Sequence, residues 1–98
     1  MSDVTLDAQR RDGNGTKAAA DLRRTGLVPA VVYGAGRETQ QIAVCAKEMG
    51  RVLHHHGKHA EVKLALDGVE TPARVVELQR EPVSRALLHL DFQALAQA

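Results

Sequence analysis

Aromatic side chains are almost absent from this 98-residue chain. It has no tryptophan, one tyrosine (Tyr33) and one phenylalanine (Phe92). Proteins that hold single-stranded nucleic acid usually stack bases on several rings, which argues against a stacking platform and favours duplex shape with phosphate contacts as the mode for an RNA ligand. Cysteine is as scarce. Cys45 alone cannot form an intrachain disulfide, which fits a reducing cytoplasm. No apolar run approaches the roughly 20 residues that cross a bilayer. Met1–Gln9 has no basic stretch followed by an apolar one, so no secretory signal is expected. Net charge is small too, +1 with a pI of about 8.0, so affinity for a polyanion must come from local clustering. The expectation is one soluble cytoplasmic domain over residues 1–98, a monomer when free, with one modest core.

What the chain does have is a succession of short patterned segments. Val4, Leu6 and Ala8 alternate with polar neighbours, the period of a half-buried strand. A turn follows from Arg10 to Gly15. Thr16–Thr25 is rich in Ala, Leu, Arg and Lys and predicts a helix ended by Gly26. Val28–Tyr33 is a β-branched strand in which Pro29 predicts an edge or a strand end. Gly34–Arg37 turns the chain into a second strand, Gln40–Cys45. Met49, Val52 and Leu53 give Ala46–His56 a helical apolar stripe.

Ala60–Leu66 alternates again. Asp67-Gly68 is a strong two-residue hairpin signal, and Val69–Leu78 is its partner strand. Ala86–Phe92 forms a last strand with Leu88, Leu90 and Phe92 on one side, and Gln93–Ala98 is expected to fray or form a short helical turn. This order predicts a mainly β (α+β) fold: a small six-stranded barrel, closed to remove exposed edges, with two short flanking helices.

Two features point to RNA. Between Arg10 and Arg37 the chain carries Arg10, Arg11, Lys17, Arg23, Arg24 and Arg37 against Asp12 and Asp21. Guanidinium forks and turn amides there can cradle phosphates, although a solvated helix face has the same composition. The late strands carry polar rows: Glu77 and Gln79 opposite Val76 and Leu78, and His89, Asp91 and Gln93 opposite Leu88, Leu90 and Phe92. Such rows on a rigid sheet can read base edges and 2′-hydroxyls in the shallow RNA minor groove, where the ordinary alternative is outward polarity.

Other features carry less. His54–His56 and His59 invite a metal, but consecutive helical residues point about 100° apart and Gly57 interrupts the spacing. Gly34-Ala35-Gly36 lacks the third glycine of a dinucleotide fingerprint and sits between strands. Cys45 on an alternating strand reads as a small core residue. His89 and Asp91 can touch, yet no nucleophile is placed beside them. No enzyme, cofactor or metal is expected.

The segment Arg23-Arg24-Thr25-Gly26-Leu27-Val28-Pro29-Ala30-Val31-Val32-Tyr33-Gly34 resembles an arginine-rich helix followed by a Pro-Ala-x-x-Tyr-Gly strand. Glu77–Val83 resembles a Val-Gln-Arg-His-Pro segment, and His89-Leu90-Asp91-Phe92 is similar to a His-x-Asp-Phe ending. In this order and spacing they resemble the bacterial large-subunit ribosomal proteins of the general stress protein CTC family, in their short single-domain form.

The resemblance implies a six-stranded barrel that binds 5S ribosomal RNA at the minor groove of loop E. It also implies the large ribosomal subunit and neighbouring ribosomal proteins as partners. By matched position, the implied RNA contacts are Arg11, Thr16, Arg23, Tyr33, Gln79, Arg80, His89 and Asp91. Ala20 and Asp21 stand where that family has two arginines, and Lys17 and Arg24 are expected to compensate in part. The loss of two phosphate contacts would flatten the salt dependence by nearly two units of log-log slope. That departure supports a rival reading, a diverged paralogue acting as a protein-interaction or stress module with weakened ribosomal RNA binding. A third, a metal protein built on the histidines, would answer to a zinc titration.

Overall fold

The computed structural model describes residues 4–10, 21–34 and 36–95. Six strands, β1 (Thr5–Arg10), β2 (Leu27–Gly34), β3 (Arg37–Cys45), β4 (Glu61–Leu66), β5 (Val69–Arg80) and β6 (Leu87–Ala94), form a closed barrel in the order β1-β3-β2-β6-β5-β4. Two helical segments flank it: α1, described at residues 21–24, and α2 (Ala46–His56). The predicted turn after Arg10 and the start of the first helix lie outside the described residues.

Three local signals act as expected. Asp67 and Gly68 have φ of 54° and 81°, the paired positive values of a hairpin turn that follows the strand twist. They form the turn that joins β4 to β5 in register from Leu66↔Val69 to Glu61↔Arg74. The second helix occupies Ala46–His56, with Met49, Val52 and Leu53 buried. Gly26, with φ of 85°, ends α1 by donating its N–H to the Arg23 carbonyl at 3.1 Å.

Closure rests on two parallel ladders between strands far apart in sequence, β1 with β4 and β2 with β6. They correct the edge reading of Pro29. β2 is paired on both sides, and Pro29 lies near its start. The ladder to β6 begins one residue later, at Ala30↔Leu90, so the missing proline N–H removes no bond from it. The interior is packed by Leu6, Ile42, Leu64, Leu90 and Phe92 among small Ala30, Ala73 and Ala94. Cys45 is half-buried at the β3–α2 junction, outside that core. Gln93 and Ala94 continue β6 rather than fray, because they pair with Arg74 and Ala73.

Along the β5–β6 ladder strict alternation fails at two places, and both set the face that the site uses. Thr71, Ala73 and Val75 point inward. Unbroken alternation would carry Glu77 and Gln79 in after them. A bulge intervenes: Val75 pairs with Phe92 and Glu77 with Asp91, leaving Val76 as the extra, half-buried residue. Glu77 and Gln79 therefore face out, while Leu78 packs against the core. On β6, Arg80 pairs with Leu87 and Gln79 with His89, so Leu88 is the extra residue. Leu87 is buried and Leu88 only half-buried, which corrects the grouping of Leu88 with Leu90 and Phe92.

Gly50 sits mid-helix in α2, and a Cβ added there would meet nothing within 4 Å. Gly50→Ala is expected to stabilise the protein by about 0.5–1 kcal/mol, because glycine costs that much relative to alanine in a helix interior. A rise in the urea midpoint at unchanged m-value is the check, and an unchanged or lower midpoint would contradict it.

Candidate nucleic-acid interface

The outward residues of β5 and β6 meet side by side across the ladder. Gln79 faces His89, Glu77 faces Asp91 and Arg74 faces Gln93. On the other flank of β6, Asp91 neighbours Val31 and Gln93 neighbours Tyr33. The two rows read separately along the sequence are thus one surface. It runs about 13 Å from His89 to Gln93, at about 3.3 Å per residue. Tyr33 is half-buried at its far end. There Gly34 takes φ of 100°, and a Cβ would lie 3.3 Å from the Gln93 side chain, so glycine lets the two strands approach.

His89 Nδ1 lies 3.1 Å from Asp91 Oδ1. At that distance the carboxylate can accept a hydrogen bond from Nδ1–H, which fixes the orientation of the ring. Asp91 and Glu77 are themselves acceptors, and they stand opposite one another. Two carboxylates repel phosphate, so this surface suits the floor of a groove rather than its backbone walls. Minor-groove donors are the guanine 2-amino group and, in RNA, the 2′-hydroxyls, which carboxylates and Gln79 can accept.

The cations divide differently from the sequence pattern. Arg10 donates to the carboxylate of Asp67. Arg24 pairs with Asp21 at 3.0 Å, three residues away, so the arginine expected to compensate for Asp21 is held by it. Arg23 donates to the Leu88 carbonyl at 3.5 Å and Arg80 to the Arg85 carbonyl at 3.0 Å. Among the described residues, these bonds leave most of the five N–H groups of each guanidinium unused. Arg11, Thr16 and Lys17 lie outside the described residues.

Arg23 and Arg80 border one open groove, of about 340 Å³, at the barrel end where β2 and β6 begin, and Lys47 of α2 joins them there. Lysine in the first turn of a helix works against the helix dipole, the one sequence signal that could have singled Lys47 out. The loop after Arg80 is held by Glu81, whose carboxylate accepts the backbone N–H groups of Ser84 and Val83. Those bonds, that of Ser84 first, hold its pKa below the usual carboxylate value.

The histidines do not converge. Among the described residues no group of three His, Cys, Asp or Glu side chains could hold a metal ion. His54 and His55 meet edge to face at 5.2 Å, and His59 turns its Nδ1 toward the Val75 carbonyl.

The sequence profile described as the Ribosomal L25p family matches residues 6–92. Among curated relatives, the "Large ribosomal subunit protein bL25" of Sorangium cellulosum is 37% identical over 94 residues, covering 94% of this chain and 41% of its own. The protein of the same name from Halothermothrix orenii is 39% identical over 100 aligned positions, covering 98% and 44%. That from Methylobacillus flagellatus is 35% identical over 94 residues, covering 95% and 45%. The chain spans less than half the length of these relatives.

Proposed function

Since the chain belongs to the ribosomal L25p family, we propose that it is a structural, non-catalytic part of the large ribosomal subunit that binds 5S ribosomal RNA at loop E. It works on the ribosome, in the cytoplasm, with the RNA and neighbouring ribosomal proteins as partners.

The observation that carries this reading is the joined polar surface of Gln79, His89, Glu77 and Asp91 beside a groove bordered by arginines without carboxylate partners among the described residues. The two regions divide the labour of RNA recognition. Arg23 and Arg80 take backbone phosphates, which hold the duplex in place without reading it. Gln79, His89 and Asp91 meet the wide, shallow minor groove and test its donors, and Tyr33 lies at the end of that surface. Arg11, Thr16 and Lys17 add contacts from the first turn and helix. Arg24 adds little while Asp21 holds it.

The test is a gel shift with 5S RNA carrying an intact or a disrupted loop E at moderate salt. The expected result is a marked preference for the intact loop. Equal binding to both, or to neither, overturns the loop E assignment and favours the diverged paralogue, whose support is the Asp21–Arg24 pair.

A further inference from the structure

We propose that Arg23, Lys47 and Arg80 together seat a backbone phosphate of the bound RNA in the groove between α1, the start of α2 and the β5–β6 loop. This rests on the reading of the chain as an RNA-binding protein and adds to it a contact, Lys47, on an element that lies away from the polar strands.

The first ground is electrostatic. Three cations from three separate elements line one groove, and among the described residues no acidic one lines it. None of the three has a carboxylate partner among the described residues, whereas Arg10 and Arg24 are both neutralised by aspartates. The nearest acids in sequence are turned to other tasks. Glu81 caps its own loop, and Glu48, next to Lys47, lines a different groove, with Val4, Arg51 and His55. The floor is apolar, formed by Leu27, Val28 and Leu87. Low-dielectric walls under cations concentrate the field at the mouth, where an anion would sit.

The second ground is continuity with the polar surface. Arg80 directly follows Gln79, and the bulge at Leu88 sets Leu87, on the groove floor, one ladder step from His89. The Arg23 guanidinium reaches the carbonyl of that bulged residue. An RNA duplex lying on Gln79 and His89 therefore runs its backbone past this groove. Two arginines supply planar forks and Lys47 an exposed, mobile point charge. A phosphodiester fits that set, and the charge balance of the groove does not suit an acceptor-poor ligand.

The test measures affinity of the full chain for a 5S RNA fragment carrying loop E, across about 50 to 200 mM salt, where counterion release dominates. Lys47→Ala is expected to weaken binding at every salt concentration. It should also reduce the log-log salt slope by about one unit, the loss of one phosphate contact. The preference for intact over disrupted loop E should be unchanged, because a phosphate contact is not read as sequence. Lys47→Arg should keep the parent slope. Lys63→Ala, on the exposed outer face of β4, should leave it unchanged while removing the same charge.

A parent that prefers intact loop E, with a Lys47→Ala slope equal to its own, overturns the groove assignment and leaves the wider reading standing. So does an equal slope loss in Lys63→Ala, which would be a general charge effect. A parent with no preference for loop E overturns the reading, and the groove assignment with it. Both lysines are exposed, so folding of the variants is checked by an unchanged melting temperature.

Discussion

Replacing Phe92 with alanine is expected to cost about 3–5 kcal/mol, the range for emptying a large aromatic site in a core. Phe92 is fully buried and is the only phenylalanine in the chain. It stands between Val75 on β5 and Val32 on β2. Ala30, Ala73 and Ala94 line the same interior, and small residues cannot extend into the space left. A barrel closed on both flanks of β6 also resists the collapse that would refill it. Against a typical total of about 5–15 kcal/mol, the variant loses a large share of its stability. Its melting temperature should fall by more than about 12 °C, at ~4–8 °C per kcal/mol for a domain of this size. Urea unfolding monitored by circular dichroism checks the value. A loss below about 1.5 kcal/mol, typical of volume-conserving swaps, would mean that the interior rearranges and that Phe92 is not its keystone.

Replacing His89 with alanine is expected to weaken binding to loop E RNA by about 5–150-fold, the ~1–3 kcal/mol given up when a base contact is lost. The salt slope should not change, since no phosphate contact is removed. This combination separates His89 from Arg23 and Arg80, whose alanine variants should flatten the slope. Asp91→Ala leaves the imidazole without its 3.1 Å partner, so it should weaken the same preference through orientation. Gln79 is the ladder neighbour of His89, so the double variant Gln79→Ala, His89→Ala should lose less than the sum of the two. A His89→Ala protein that still distinguishes intact from disrupted loop E as well as its parent would remove the polar surface from the recognition mechanism.

Much of this architecture could be read along the chain, because its signals are local. Asp67-Gly68 marks a turn whose positive φ values those residues tolerate. The Met49, Val52, Leu53 stripe marks a helix whose observed limits coincide with the expected ones. The outward rows on β5 and β6 were legible as rows. Their being one surface was not, because it depends on Glu77 facing Asp91 across a pairing that no local period encodes. The arginines show the same limit. Composition counts Arg10, Arg23 and Arg24 alike, while the structure leaves only Arg23 of the three without a carboxylate partner among the described residues. Lys47 was missed because it lies in a separate segment and reaches the groove only through the packing of α2 against the end of the barrel.

By itself the sequence determined the strand and helix segments, the hairpin turn at Asp67-Gly68, the mainly β class and the family. These follow from side-chain periodicity and backbone preferences that act over a few residues. Only the tertiary structure decided the two bulges of the β5–β6 ladder, at Val76 and Leu88, the parallel ladders of β1 with β4 and β2 with β6, and, among the described residues, which cations pair with a carboxylate. A bulge shifts every following side chain to the other face. Its position is set by which strand lies alongside, so Leu87 rather than Leu88 enters the core and Glu77 and Gln79 turn outward. Long-range pairing is chosen by burial of the whole interior at once, and the sequence around any one residue does not contain that choice.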